Sequence, residues 1–434
     1  QSFTAMNRNT FVMNKLSVET LPFKGRRVLV RVDYNVPLDD DGKVCDAHRI
    51  EETIPTLRAL IDGGAHSIVI ISHLGRPKGR IIPELSLRPV APILQNLLSK
   101  PITFLTDCVG PEIEEATRDP PEGSVFLLEN LRFHIEETGK GLDENGQKVT
   151  SSFENVSQFR KSLSKLGEIF VFDAFGCCHR AHSSVTGIDL PLRASGCLMM
   201  KEIIWFGKIM KDPQKPFLSI LGGAKVSDKI PAIENLLDKV DEMIIGGGMA
   251  FTFLKVCFGM KIGKSLFYKN CSDLVKIILE KAKGKNVKIH FPVDFVIADR
   301  FSADAKTSIV SLEEGIPDEW HGLDCGPKSN EIFQSVIQRS KTVCWNGPLG
   351  VCEFSAFAEG TRSAFEAVAE VTRQGCISVI GGGDLASAAK KFGFRDAMTH
   401  ISTGGGASLE FLEGKILPGI AAISDSSLLH TSKE

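Results

Sequence analysis

Phe217-Leu218-Ser219-Ile220-Leu221-Gly222-Gly223-Ala224-Lys225-Val226-Ser227-Asp228-Lys229-Ile230 is the stretch on which the fold turns. Its first five residues form an apolar run bounded by Pro216 and by two glycines, the pattern of a buried strand that ends in a tight turn. Beyond the turn, Ile230, Ile233, Leu236, Leu237 and Val240 recur at helical spacing. The order is strand, glycine turn, helix. Lys225 and Lys229 lie four residues apart and are expected on one face of the first helical turns. A helix start offers unpaired N–H groups and the positive end of its dipole, and glycine lets an anion approach the backbone closely. The stretch therefore reads as a phosphate site. Its plainer reading is two solvated lysines, and the rest of the chain decides between them.

The same unit recurs upstream. Arg27–Val32 is a strand with the loop Asp33-Tyr34-Asn35-Val36-Pro37, and Arg49 opens a helix through Ile50, Ile54, Leu57, Leu60 and Ile61 to Gly63-Gly64. Ser67–Ile71 is a strand with the loop Ser72-His73-Leu74-Gly75-Arg76-Pro77. A helix is expected over 87–98, a strand over 102–105, and a strand over 125–128 that runs into Glu129-Asn130-Leu131-Arg132-Phe133. A helix over 153–166 and a strand over 169–172 lead to Asp173-Ala174-Phe175-Gly176-Cys177-Cys178-His179-Arg180-Ala181-His182-Ser183-Ser184.

Met199–Met210 reads as a helix connecting two domains. The second half follows the same plan. Strands are expected over 243–245, 289–297, 342–345 and 376–380, and helices over 249–256, over 356–371 and after Ser408. Residues 299–328 read as an insertion or a short antiparallel piece. Unalternated apolar strands separated by helices predict parallel sheets covered on both faces, and 434 residues suit two cores better than one. The predicted fold is α/β: two Rossmann-like domains, each a parallel sheet with helices on both faces, joined by a helix across a hinged cleft.

In such sheets ligands sit beyond the carboxyl ends of the strands. In the first half these ends carry Arg76, Arg132 and Arg180, with His73 and His179 beside two of them, and Arg49 opens the helix after the first strand. Guanidinium forks match carboxylate or phosphate, so the expected ligand is small and multiply anionic. Asp33 and Asn35 supply acceptors for a hydroxyl, or else cap a turn. In the second half the strand ends become glycine clusters: Gly222-Gly223, Gly246–Gly248, Gly381–Gly383 and Gly404–Gly406. Such loops let a backbone approach phosphates and a flat base. Asp384 suits a Mg²⁺ held on phosphates, or a plain helix cap. Glu353 suits a ribose hydroxyl, or solvent.

Bulk properties narrow the classes. The net charge is −2, with 43% hydrophobic and 24% charged residues, which points away from nucleic acid and membrane surfaces. No apolar run reaches the about 20 residues of a membrane span. Eleven scattered cysteines without Cys-x-x-Cys spacing read as free thiols in a reducing, cytoplasmic setting. Gly259–Ser265 has one residue too few for a P-loop, no dinucleotide fingerprint follows either first strand, and no nucleophile elbow is present. Gln1–Val12 lacks a leader pattern, Met13 is a candidate start, and the polar tail from Ser424 is expected to be mobile.

With these residues laid out, the chain resembles the phosphoglycerate kinase family from about Asn14 to Ile423. The resemblance rests on Arg31–Pro37, Ser72–Pro77, Glu129–Phe133, Asp173–Gly176 with His179–Ser184, Leu221–Ile230, Trp345–Pro348, Gly381–Asp384 and Ser402–Ser408. It implies reversible, Mg²⁺-dependent transfer from 1,3-bisphosphoglycerate to ADP, giving 3-phosphoglycerate and ATP, by a cytoplasmic monomer that closes on its substrates. It implies that Val32, Asp33, Asn35, Arg49, Ser72, His73, Gly75, Arg76, Leu131, Arg132, His179 and Arg180 hold the three-carbon acid. It implies that Gly223, Ala224, Lys225, Lys229, Gly247, Gly322, Leu323, Asn346, Gly347, Leu349, Glu353, Gly382, Gly383, Asp384 and Leu385 hold the nucleotide, with Asp384 on the metal. Arg49, Lys225, Lys229, Gly383 and Gly406 would surround the group in flight. The implied domains are 1–197 for the acid, a linking helix at 198–212, 213–408 for the nucleotide, and a segment at 409–434 that returns to the first domain. Leu385 stands where the family usually has Thr, Cys352 where an aromatic often precedes the glutamate, and His321 where Met is common.

Overall fold

In the computed structural model, residues 14–429 are described. The readings of Gln1–Val12 and Met13, and of the tail from His430, fall outside them. Continuous apolar runs set the architecture. β1 (Arg27–Val32), β2 (Ser67–Ile71), β3 (Thr103–Leu105), β4 (Ser124–Leu128), β7 (Ile169–Asp173) and β8 (Arg193–Ser195) form a six-stranded sheet in the order β3-β4-β2-β1-β7-β8, with every pair parallel. β5 (Lys140–Leu142) and β6 (Lys148–Thr150) form a separate antiparallel hairpin that the sequence reading omits. One core gathers Val28, Val30, Ile68, Ile70, Leu127 and Val171 with helical Leu57, Leu60 and Leu94. This sheet belongs to a unit that runs to Ile204 and takes up the chain again from Ile416.

The second unit is Trp205–Lys415. Its strands are β9 (Phe217–Leu221), β10 (Glu242–Ile245), β11 (Lys288–His290), β15 (Thr342–Asn346), β16 (Ile377–Gly381) and β17 (His400–Ile401), parallel in the order β11-β10-β9-β15-β16-β17. β12 (Asp294–Ala298), β13 (Thr307–Ser311) and β14 (His321–Cys325) form an antiparallel sheet in the order β13-β12-β14. The expected single strand over 289–297 is therefore two strands in different sheets. Pro292 stands at the break, where it cannot donate to a ladder.

Two helices also depart from expectation. The helix opened by Arg49 is two pieces, His48–Glu51 and Ile54–Asp62, with Pro55 at the start of the second. The helix after β9 begins at Ile230, with Lys229 as its N-cap and Pro231 in its first turn. Proline's fixed φ and missing N–H suit a first turn and no later one, so Lys225 precedes the helix instead of sharing its face with Lys229. The tail expected to be mobile is tied down as far as Leu429. Ser424 O accepts from Leu16 N at 2.8 Å, and Asp425 pairs with buried Lys15 at 3.0 Å. The helix Cys197–Lys211 runs from the first unit into the second, and Asp173 Oδ1 accepts from Met199 N at 2.9 Å at its start.

Register brings the strand ends level. Asn346 pairs with both Leu221 and Gly381, and Val32 pairs with Asp173. Gly222 N then donates to Asn346 O at 3.0 Å, and Gly223 N to Pro348 O at 2.7 Å. At this approach a Cβ on Gly222 would collide with the backbone oxygen of Pro348. Gly222→Ala should destabilise the second unit by roughly 1–3 kcal/mol in urea unfolding, because a backbone atom cannot step aside as a flexible side chain can. Gly284→Ala, at a helix end with open space around it, is the control and should change stability by less than about 0.5 kcal/mol.

Candidate active site

The first group of candidate residues sits on the loops after β1, β2, β4 and β7. Asp33 is buried, and Arg49 Nη1 donates to its Oδ2 at 2.6 Å. His73 Nε2 lies 3.9 Å from Asp33 Oδ1, and Arg31 Nη2 lies 3.1 Å from His73 Nδ1. Arg31 is fully buried, and its Nε donates to Ser184 Oγ at 2.8 Å while Ser184 Oγ donates to Glu137 Oε1 at 2.7 Å. Ser72 Oγ bridges the loops, accepting from Tyr34 N and donating to Val32 O, both at 2.8 Å. Asn35 Oδ1 accepts from Gly75 N at 2.8 Å, and Arg132 Nη1 donates to Gly75 O at 2.7 Å. Asn130 holds Leu131, Arg132 and Phe133 in their turn, its Oδ1 accepting from Leu74 N and Arg132 N. Arg180 Nε reaches His179 Nε2 at 3.1 Å. Arg76 is exposed and, among the described residues, takes no part in this bonded cluster.

Cations outnumber their counter-charges here. Burial pushes the Asp33 carboxyl up, but Arg49, His73 and Arg31 outweigh it and hold the group at about 2. Burial drives His73 well below its usual value, and burial with Arg132, Arg31 and Arg180 holds His182 at about 3, so both rings are neutral. Burial and the neighbouring Arg31 lower Arg132 to about 10, and its Nε is buried without a partner. The cluster is preorganised for an added anion, because an incoming carboxylate or phosphate would supply the missing acceptors.

The second group surrounds a cavity of about 360 Å³ in the other unit. Gly223, Ala224, Gly247, Gly322, Leu323, Leu349, Glu353 and Asp384 line it, as does His321. Phe251, Phe295 and Phe301 add an apolar side that the sequence reading missed. Phe251 lies 44 residues before Phe295, on a helix instead of a strand, so no local pattern announces the group. Asp324 also lines the cavity, and burial pushes its carboxyl up to about 7 while it accepts from Gly360 N at 2.9 Å.

Lys229, Asn346, Gly347, Gly382 and Gly383 lie at the adjoining strand ends, turns and helix starts. Lys229 Nζ donates to Asn346 O at 3.4 Å and to Asn346 Oδ1. Burial lowers its pKa to about 8, against the opposing charges of Asp228 and Asp384. Lys225 is exposed on the irregular turn. Gly383 and Asp384 open the helix Gly383–Lys391, and Gly406 lies in the first turn of Gly405–Leu412, so two helix starts face the strand ends. Leu385 does not face the cavity. It is fully buried in the core with Trp345, Phe365 and Cys352, so neither Leu385 nor Cys352 presents a side chain to a ligand. Asp384 is exposed at the cavity wall beside Gly382. A single carboxylate there fits Mg²⁺, which takes few protein ligands and keeps phosphate and water as the rest.

Asp33 gives a direct test. Its value in the folded chain lies below the ordinary 3.8, so it adds stability above pH 4 that is lost as pH falls towards 2. Asp33→Asn should lower the unfolding free energy by about 2 kcal/mol at pH 7. In urea titrations the gap to wild type should close between about pH 4 and 2. A gap that is constant across that range would show that the pairing with Arg49, His73 and Arg31 does not set the shift.

Known proteins resemble the chain along nearly its whole length. The sequence profile of the family described as Phosphoglycerate kinase matches residues 18–415. A phosphoglycerate kinase of Dictyostelium discoideum is 55% identical over 412 residues, covering 95% of this chain and 98% of that protein. Phosphoglycerate kinase 2 of Sus scrofa is 53% identical over 412 residues, covering 95% and 99%. The solved phosphoglycerate kinase of Coxiella burnetii superposes with a TM-score of 0.80 at 38% identity, covering 94% of this chain and 98% of that one. The chain belongs to the phosphoglycerate kinase family and is a phosphotransferase.

Proposed function

We propose that the protein transfers the acyl phosphate of 1,3-bisphosphoglycerate to ADP, reversibly and with Mg²⁺, giving 3-phosphoglycerate and ATP in glycolysis and gluconeogenesis. The observation that carries this reading is the presence of two unlike half-sites in one chain. A cluster of arginines lies at the strand ends of one sheet, and a glycine- and phenylalanine-lined cavity lies at those of the other.

Arg49, Arg132, Arg180 and exposed Arg76 would bind the carboxylate and phosphate of the acid, with Asp33 and Asn35 on its hydroxyl. Val32, Ser72, Gly75, Leu131, His73 and His179 would shape and support that pocket. The cavity would take the nucleotide, its base against the phenylalanines and its ribose near Glu353. Asp384 would hold Mg²⁺, which when bound neutralises and orients the nucleotide phosphates.

An acyl phosphate already has a good leaving group, so transfer needs positioning and charge neutralisation more than covalent help. Direct in-line transfer without a phosphoenzyme fits that need. Lys225 would follow the moving phosphoryl, Arg49 would meet its charge from the acid side, and Lys229 with the N–H groups of Gly383 and Gly406 would hold the nucleotide end. Transfer also requires that water be excluded from the reacting groups. The eleven cysteines are unpaired and no helix among the described residues is long and apolar enough to cross a membrane, which is consistent with a cytoplasmic enzyme. A monomer suffices, since each half-site is assembled within one chain.

A coupled assay for ATP formation from ADP and 1,3-bisphosphoglycerate tests the reaction, and absence of turnover in folded protein would refute it. Lys225→Ala should lower kcat by ~10²–10³ with little change in KM for ADP, the loss typical of one transition-state donor. Near wild-type turnover in that variant would remove Lys225 from the mechanism.

A further inference from the structure

Outside both half-sites, three side chains of different chemistry converge beside the turn that carries Arg132. Asp107 and Cys108 follow β3, and His134 follows the turn Leu131–Phe133. The ligating atoms of Asp107, Cys108 and His134 all lie within 4.8 Å of one another, and His134 Nε2 to Asp107 Oδ1 is 2.6 Å. Asp107 Oδ1 also accepts from Cys108 N at 2.6 Å, so one turn orients both side chains. The His134 ring packs against Phe159, 5.4 Å between centroids, which fixes its plane. The Cys108 thiol is fully buried, while the other two side chains are open to solvent at 50% and 29%. Burial, and then the carboxylates of Asp107, Glu137 and Glu129, push the Cys108 thiol well above its ordinary value, so an ion bound here must displace the thiol proton.

We propose that Asp107, Cys108 and His134 form an inhibitory site for a thiophilic divalent cation of the Zn²⁺ class. One sulfur, one imidazole nitrogen and one carboxylate oxygen suit a tetrahedral ion whose fourth position is water. Bonds of about 2.0–2.3 Å place the ligands of such an ion ~3.3–3.7 Å apart, so the three atoms need only small shifts. Mg²⁺ prefers oxygen ligands and does not compete there. On binding, Cys108 releases its thiol proton to solvent. The Asp107–His134 hydrogen bond is replaced by two metal bonds, and the ring proton of His134 rests on Nδ1.

The effect on catalysis rests on the reading of Arg132 as a ligand of the acid. His134 N donates to Leu131 O at 3.2 Å, so His134 and Arg132 share one turn. Drawing His134 towards Cys108 shifts the Arg132 guanidinium, which is held through Gly75 O. The ion should therefore raise KM for 3-phosphoglycerate.

The full chain, with Mg²⁺ present, is titrated with Co²⁺ as a spectroscopic stand-in and then with Zn²⁺. The expected result is one Co²⁺ per chain with a sulfur-to-cobalt charge-transfer band, displaced by Zn²⁺. Cys108→Ser should abolish the band and leave metal-free activity unchanged. Asp107→Asn, at a solvent-facing carboxylate, should weaken binding by at least ~10-fold and serves if the buried substitution does not fold. Zn²⁺ should raise KM for 3-phosphoglycerate in wild type and not in Cys108→Ser. The proposal is overturned by absence of the band, by a band that survives in Cys108→Ser, or by a Zn²⁺ effect on KM that is equal in both proteins. The band is read without turnover, so a failure of the assigned reaction is seen separately.

Discussion

A parallel strand cannot return to its neighbour by a tight turn, so every crossover in these sheets passes over a face and every strand ends on the same side. That constraint sets the rest of the structure. In each sheet the first strand is central and later strands lie on both sides of it, so the loops after β1 and β7, and after β9 and β15, diverge at a switch point. The register of Asn346 with Leu221 and Gly381 brings three of these loops to one level. At Gly222 this approach leaves no room for a side chain, whereas Gly223 has open space and is fixed by its left-handed φ of +90°. These two glycines follow from backbone constraints as much as from any ligand.

The two sheets use the same edge in opposite electrostatic ways. In the first unit, Arg49 and Arg31 gather around the Asp33 carboxylate, Arg132 lies within reach of Arg31, and burial keeps His73 and His182 neutral. Neutral imidazoles add donors without adding repulsion. Arg31 fixes the ring of His73 through Nδ1, which turns Nε2 towards Asp33. In the second unit, Lys264, Asp324, Glu353 and Asp384 share the cavity lining with glycines and phenylalanines, and no arginine among the described residues joins them. A multiply charged small acid needs the first environment. A ligand with a flat apolar part and a charged end needs the second.

The order of strands and loops was legible because buried parallel strands are continuous apolar runs and their ends carry glycine or arginine. The positions of Arg49, Arg132 and Lys229 were legible for the same reason. Other features depend on distant segments. Arg31 sits inside β1, where a strand reading treats it as filler, and only the fold brings Ser184 and His73 to it. Phe251, Phe295 and Asp324 meet at the cavity from a helix and two strands of the antiparallel sheet. Leu385 shows the converse: its place in the sequence next to Asp384 suggests a ligand contact, but helical geometry turns the next residue inward to the core. Proline decided the remaining differences, at Pro55, Pro231 and Pro292, because one missing N–H ends an element that apolar spacing alone would continue.

The two lysines of the glycine turn differ for that same reason. Had the helix begun at Ala224, Lys225 and Lys229 would share a face and a fixed separation. With Pro231 in the first turn, Lys229 becomes the cap, half-buried and donating to both oxygens of Asn346, so its ammonium is held in place. Burial costs that ammonium part of its preference for the charged form, which a nearby phosphate would restore. Lys225 stays on irregular backbone with its side chain exposed. A fixed cation suits a phosphate that does not move, whereas a cation on a free stem can follow one that does. The helix start therefore gives different settings to two residues that the sequence presents as a pair.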